Sequence, residues 1–199
     1  MRVLVACEFS GVVRDAFQAR GHYAMSCDLL PSDSPKGLHY QGDIRDILGQ
    51  PWDLMIAHPP CTYLSVSGLH WNKKRPERAR QTEDAIDFVS LLLDAPIPKI
   101  ALENPIGILS SRIRKPDQII QPYQFGDDAS KATCLWLKNL PKLRPTHMVE
   151  PRMVNGKPRW SNQTDSGQNR LGPSPDRWKL RSITYQGIAN AMASQWGGE

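Results

Sequence analysis

Between residues 2 and 105 one pattern recurs: a short apolar run, a turn, a helix-spaced segment, and another apolar run. The runs fall at 2–6, 22–27, 38–40, 53–57 and 99–102. Helical spacing fills two of the intervals. One helix covers 12–17 and stops at Gly21, and a longer one covers 77–94 with Ala85, Phe88, Val89, Leu92 and Leu93 on one side. Strands alternating with helices predict an α/β fold with a doubly wound, mainly parallel sheet. The 199 residues suffice for one domain with its own core, and 40% hydrophobic with 23% charged residues is the balance of a globular chain.

The second half reads differently. From 110 to 182 it is rich in Pro, Gly, Asn, Gln and basic residues, and only 133–137 reads as a strand. The stretch 150–180 reads as a long loop region that orders on a partner. A small-residue helix is expected over 182–196, suited to close packing on the sheet. The expected organisation is therefore a core over 1–110, a small basic recognition region over 111–181, and a helix within 182–199 that returns to the core.

No apolar run approaches the ~20 residues of a membrane span. The N-terminus begins in a strand rather than a signal-peptide layout, so a reducing cytoplasm is the expected location. Cys7, Cys27, Cys61 and Cys134 form no C-x-x-C pair and have no histidine at zinc spacing, so neither disulfide framework nor metal is expected. The net charge of +5 suits a polyanion. Basic residues gather at Lys73, Lys74, Arg75, Arg78 and Arg80, at Arg112, Arg114 and Lys115, and from Arg144 through Arg170 to Arg181, with Trp71, Trp160 and Trp178 among them. Composition alone does not choose between a nucleic-acid surface with stacking rings and a solvated face with inward tryptophans.

Ligands of open α/β sheets lie beyond the carboxyl ends of the strands. Those ends read Glu8-Phe9-Ser10-Gly11, Asp28, Asp43, Pro59-Pro60-Cys61 and Glu103-Asn104-Pro105. The first three sit where a nucleoside-type cofactor would lie: Gly11 admits close backbone approach, Asp28 accepts from ribose hydroxyls, and Asp43 meets a base amino group. No GxGxxG is present. Cys61 follows two prolines that cannot continue a sheet ladder, and Cys61 and Glu103 follow strands that neighbour each other in most doubly wound sheets. A thiolate and a carboxyl group flanking a flat ring can add to an electron-poor carbon while holding or protonating a ring nitrogen.

These residues carry a resemblance. Pro59-Pro60-Cys61-Thr62-Tyr63-Leu64-Ser65 resembles the P-P-C-Q-x-x-S motif of DNA cytosine-5 methyltransferases, and Glu103-Asn104-Pro105 resembles that family's E-N-V. The turn Glu8 to Gly11 is similar to its F-x-G-x-G, and Gln186-Gly187-Ile188-Ala189-Asn190-Ala191-Met192 to its Q-x-G-N-A-V. Residues 1–105 and 181–196 are covered. The resemblance implies a Rossmann-like S-adenosylmethionine-dependent methyltransferase with Cys61 and Glu103 catalytic. It implies cofactor contacts at Phe9, Ser10, Gly11, Asp28, Asp43, Pro59 and Asn190, and DNA contacts at Ser65, Lys73, Lys74, Arg75, Arg170 and Arg181. The implied cofactor is S-adenosyl-L-methionine, the implied partner DNA, and no metal is needed.

The sequence departs from the family pattern in three ways. Q-x-R-x-R is not evident, with Arg170 or Arg181 as the substitutes available. The second turn glycine is Val13 or absent, and the recognition region is very small. So compact a chain suits a bacteriophage genome and is open to help from a homodimer. Two alternatives remain at this level: modification of C5 in RNA or a nucleotide, or with another transferred group, and a non-catalytic DNA-binding protein on the same scaffold.

Overall fold

The computed structural model describes residues 1–198. Its elements are β1 (Arg2–Ala6), α1 (Val12–Gln18), β2 (Tyr23–Asp28), β3 (Leu38–Gln41), β4 (Leu54–Ala57), α2 (Val66–Leu69), α3 (Pro76–Leu93), β5 (Lys99–Pro105), α4 (Leu109–Arg112), β6 (Gln118–Ile120), β7 (Thr133–Lys138), β8 (Arg152–Val154), β9 (Lys157–Arg159), α5 (Arg177–Ser182) and α6 (Gln186–Trp196). Seven strands form one sheet in the order β3-β2-β1-β4-β5-β7-β6, and β8 and β9 form a separate hairpin. Strands β1 to β5 are mutually parallel, whereas β7 runs antiparallel to both β5 and β6. The molecule has the expected doubly wound, Rossmann-like α/β fold.

Side chains alternate across a strand, and here both faces are covered. Leu4, Ala6, Met55, Ala57, Ile100 and Leu102 join Ile86, Val89 and Leu92 of α3 in one core layer. Val3, Val5, Leu54, Ile56 and Ala101 face Val13 and Phe17 of α1 and Ile188, Ala189, Met192 and Trp196 of α6 in the other. That two-sided burial is why β4 is apolar at all four positions. Each fully buried Val, Leu or Ile contributes on the order of 1.5–3 kcal/mol. No helix among the described residues is long and apolar enough to cross a membrane.

Three boundaries differ from the sequence reading. Strand β5 continues through Glu103-Asn104-Pro105 because β7 pairs with it there, opposing Glu103 to Leu135, Asn104 to Cys134 and Pro105 to Thr133. Residues 182–196 are two helical segments rather than one, since Ile183 adopts an extended conformation between α5 and α6. The stretch 150–180 is tied to the body through its own side chains. Arg152 donates to Asp165 and to the Gln163 carbonyl, Asn162 bonds both main-chain groups of Ser130, and Trp160 stacks on Tyr123 with centroids 4.3 Å apart. Between 111 and 181, β6 and β7 belong to the central sheet.

Candidate active site

The ladder between β1 and β4 ends where its donors end. The amide of His58 still donates to the Ala6 carbonyl (2.9 Å), and Pro59 and Pro60 have no amide hydrogen to extend it. The chain turns at once. The Cys61 carbonyl accepts from the amides of Leu64 and Ser65, both at 3.0 Å, and Cys61 itself is exposed at the strand end. The turn is then fastened to the loop after β5. Ile108 N donates to Leu64 O (2.9 Å) and Val66 N to Ile106 O (3.4 Å). Gly107 lies between, where a Cβ would strike the Leu64 carbonyl group, so only glycine allows this approach.

Two side-chain bonds lock the ends of β4 and β5 together. Asn104 Nδ2 donates to the Pro59 carbonyl at 2.8 Å, and His58 Nδ1 lies 2.9 Å from Glu103 Oε2. Pairing of β4 with β5 and these two bonds bring Cys61 and Glu103 to one edge although 42 positions separate them in sequence. On its far side Glu103 lines a narrow crevice with Lys131, Thr133, Thr184, Tyr185 and Ile188. The segment leading into α6 closes that crevice. Asp127 holds it by accepting from the Gly187 amide at 2.9 Å.

The electrostatics of the pair are opposed. Burial pushes the Cys61 thiol up, and the Glu103 charge pushes it further, while Lys131 and Arg181 pull it back only in part. Burial also acts to raise Glu103, but the bond from His58 and the charge of Lys131 outweigh it and hold the carboxyl below its ordinary range. The resting pair is a thiol beside a carboxylate, and loss of charge on Glu103 favours the thiolate. The other cysteines are poor nucleophiles. Cys27 is pushed up to about 12 by burial and by Asp28, Asp43 and Asp46, Cys7 is raised well above its usual value by burial, and Cys134 is raised by burial and Glu103.

A cleft of about 440 Å³ opens beside Cys61 along the ends of β1, β2 and β3. Its lining includes Asp28, Leu29, Gly42, Asp43 and Ile44 from the ends of β2 and β3, Cys7 and Pro60 after β1 and β4, and Tyr63, Asp84 and Phe88. Asp28 and Asp43, expected from the sequence to contact a cofactor, thus share one cleft. Each keeps one carboxylate oxygen on a neighbouring amide: Asp28 on Leu30 N and Asp43 on Arg45 N, both at 2.9 Å.

The other expected cofactor residues lie outside this lining. Phe9 is buried against Trp178, with ring centroids 6.4 Å apart. Ser10 turns its hydroxyl toward Glu8, and Pro59 is buried and accepts from Asn104. Asn190 is exposed on α6 and accepts from Gln186. Gly11 precedes α1 at φ +76°, and an added Cβ there would meet Arg14 and Ser34. Its role in the fold is the tight packing of Arg14 beneath the 31–36 loop.

Among the expected DNA contacts, Lys73, Lys74 and Arg75 are exposed on the approach to α3, and Ser65 faces Ser67 at 3.3 Å. Arg170 donates to the Gln163 carbonyl, holding its own loop. The Arg181 side chain is exposed, and its carbonyl accepts from Lys131 Nζ at 2.9 Å.

Three site residues were not legible in sequence. His58 stands in no motif, yet it holds Glu103 toward its charged form. Its one signal was adjacency to the two prolines. Lys131 carried no motif. Glu8 reads as part of a turn but is a buried carboxylate, accepting from Val13 N at 2.7 Å and Arg14 N at 3.3 Å and so occupying the start of α1. Burial raises its pKa against the pull of His58 and these amides.

No protein-family model matches the chain, and no curated protein matches it. Among solved structures it is similar to the crystal structure of a candidate DNA modification methyltransferase encoded within a prophage (E. coli). Sequence identity is 20% and the TM-score 0.47, with 78% of this chain and 53% of that one covered. The chain thus spans about half the length of that protein.

Proposed function

We infer that the chain is an S-adenosylmethionine-dependent methyltransferase acting at C5 of cytosine in DNA. The observation that carries this reading is the lock between the His58-Pro59-Pro60-Cys61 turn and Glu103-Asn104. It holds an exposed cysteine and a carboxylate at one edge, near a cleft lined by three acids, Asp28, Asp43 and Asp84, and by apolar side chains. The cleft suits a nucleoside. In this reading Asp28 accepts from the ribose hydroxyls, Asp43 from the adenine amino group, and Ile44 and Phe88 meet the faces of the ring; all four line the cleft. When bound, S-adenosylmethionine supplies an electrophilic methyl group at the Cys61 end.

The chain's own residues do the rest. The target cytosine leaves its stack to reach the edge. Glu103, ionised at rest, takes up a proton as the base binds, and the Cys61 thiol gives its proton to water. The Cys61 sulfur then forms a bond to C6, the C5–C6 electron pair moves to C5, and Glu103 passes its proton to N3 and returns to the carboxylate. While Glu103 is neutral its repulsion of the thiolate is absent, so proton uptake by Glu103 favours sulfur attack. C5 takes the methyl group, a base removes the C5 proton, and the S–C6 bond breaks to release Cys61. Lys131 supports the charge on both groups.

The test is covalent trapping. An oligonucleotide carrying 5-fluorocytosine, mixed with protein and S-adenosylmethionine, is expected to give a stable adduct at Cys61 with one added methyl group in denaturing mass spectrometry, because C5 has no proton to lose. An adduct of another mass would assign a different transferred group. No adduct with DNA, or an adduct that persists in C61A, would overturn the mechanism. C61A is expected to lose turnover while keeping cofactor binding.

A further inference from the structure

We propose that the DNA is bound as a single strand, carried across the site by two exposed tryptophans, Trp71 after the Cys61 turn and Trp178 beside the turn after β1. The inference rests on the DNA reading above and deepens it by naming the form of the substrate.

Trp52, Trp136 and Trp196 are buried to within 3% of full enclosure, as large aromatic rings usually are. Trp71 and Trp178 are 42% and 59% exposed. Trp71 follows α2 on the α3 side of the sheet. Its position is held by the neighbouring Asn72, whose amide donates to Thr82 of α3 at 2.9 Å. Trp178 sits in α5, edge-on to Phe9 in the turn between β1 and α1. Salt bridge Lys179–Asp33 (2.8 Å) and the Lys131 bond to the Arg181 carbonyl tie α5 to the loop after β2 and to the Glu103 crevice. The nucleophile follows β4, the strand next to β1, and stands ten positions before Trp71.

Cations lie close to the Trp71 ring and flank Trp178 in sequence. Lys74 Nζ and the Arg75 guanidinium lie 5.7 and 5.1 Å from the Trp71 centroid. Arg177 and Arg181 bracket Trp178 along α5. None of these four cations is paired with a carboxylate among the described residues. A positive track carrying rings is the chemistry that holds unpaired nucleotides: phosphates on the cations, base faces on the indoles. Duplex DNA offers no such fit, because both faces of each base are already covered by its neighbours. The element shaped to enter a groove is the β8–β9 hairpin. Its arginines are engaged within their own segment: Arg152 bonds Asp165, and Arg159 bonds the Asp165 carbonyl.

The experiment is a fluorescence-anisotropy titration of the full chain, without methyl donor. The ligands are a labelled cytosine-containing 20-mer, its duplex, and the RNA of the same sequence. Tightest binding to the single DNA strand is expected. W71A and W178A should each weaken it by roughly 5- to 150-fold, the range that follows from ~1–3 kcal/mol of stacking per base. W71F should recover most of the W71A loss, and thermal melts of W71A should match the parent, since its ring is exposed. W178A also uncovers Phe9, so its affinity is compared at a temperature where it is fully folded. Equal or tighter binding to duplex or RNA overturns the inference, as does unchanged affinity in both alanine variants. If duplex is preferred and is also trapped through 5-fluorocytosine, methyl transfer to DNA stands and the single-strand inference falls. Binding to none of the three overturns both.

Discussion

His58 Nδ1 stands 2.9 Å from Glu103 Oε2, both side chains nearly enclosed, and this contact sets the charge of the acid that faces Cys61. Proline follows His58 directly, so the imidazole is fixed at the last position of the ladder. Its Nε2 has no partner and is buried. A histidine held with one nitrogen bare is there for what the other nitrogen does, which is to keep Glu103 ionised against its burial.

The first prediction concerns H58A. Glu103 has a folded pKa depressed below its unfolded value of 4.5, so its charge contributes stability that is present above that value and lost as pH falls through the folded value. Without His58, burial is opposed only by Lys131, and the contribution disappears. H58A should be less stable than the parent by about 1.5–3 kcal/mol at pH 7, the range for a hydrogen bond to a charged group. Urea melts should show that gap narrowing between pH 7 and acid pH below the folded pKa of Glu103, where its charge is lost in both proteins. A gap of the same size at both pH values would refute the assignment.

The cofactor cleft gives the second prediction. S-adenosylmethionine or its demethylated product should raise the melting temperature of the protein, because it binds only the folded chain. D28A should weaken that binding by roughly 10- to 150-fold, as expected for loss of about 1.5–3 kcal/mol of charge-assisted hydrogen bonds. Asn190→Ala should leave it unchanged, since Asn190 lies on α6 outside the cleft lining. Isothermal titration measures both. An Asn190 variant with weakened binding and a D28A protein with normal binding would misplace the cofactor.

What the sequence disclosed follows from which forces are local. The strand–helix alternation, the stop at Pro59-Pro60 and the neighbouring of β4 and β5 rest on short-range patterns, and all appear in the structure. The extension of β5 through Glu103 depends on β7, 30 residues later in the chain. Antiparallel pairing at that distance leaves no local trace. Nor does the capture of Phe9 by Trp178, more than 160 positions away, which turns the ring from the cleft where the turn motif places it. Glu8 and His58 were unreadable for a related reason. A buried charge is tolerated only where partners converge from several elements, and that convergence exists only in three dimensions.

The third prediction tests the clasp between the two loops. In G107A the new methyl group meets the backbone of Leu64, which cannot yield as a flexible side chain would. The turn carrying Cys61 must shift. Stability should fall by about 1–3 kcal/mol, as for other overpacked sites. Methyl transfer should fall further than that loss explains at temperatures where the protein is fully folded, while cofactor affinity stays within twofold, about 0.4 kcal/mol. Activity that simply tracks the folded fraction would mean the clasp does not position the nucleophile.

The last prediction separates the two roles of Glu103. As a charge, it opposes formation of the Cys61 thiolate. As an acid, it serves the base ring. E103Q removes the charge and the transferable proton while keeping nearly the same shape. The thiol pKa of Cys61 should therefore drop, since burial remains but the second cause of its elevation is gone. Iodoacetamide labelling of Cys61, followed by mass spectrometry from pH 6 to 10, should show faster modification in E103Q at every pH below the parent's midpoint. Cys27 and Cys134 are buried and will not compete. Methyl transfer by the same variant should fall by at least ~10²-fold, the lower end of what a positioned acid contributes. A nucleophile made more reactive in an enzyme made slower is the signature of the proposed mechanism. If labelling slows together with turnover, Glu103 acts instead as the base that activates Cys61, and the order of proton movements must be reversed.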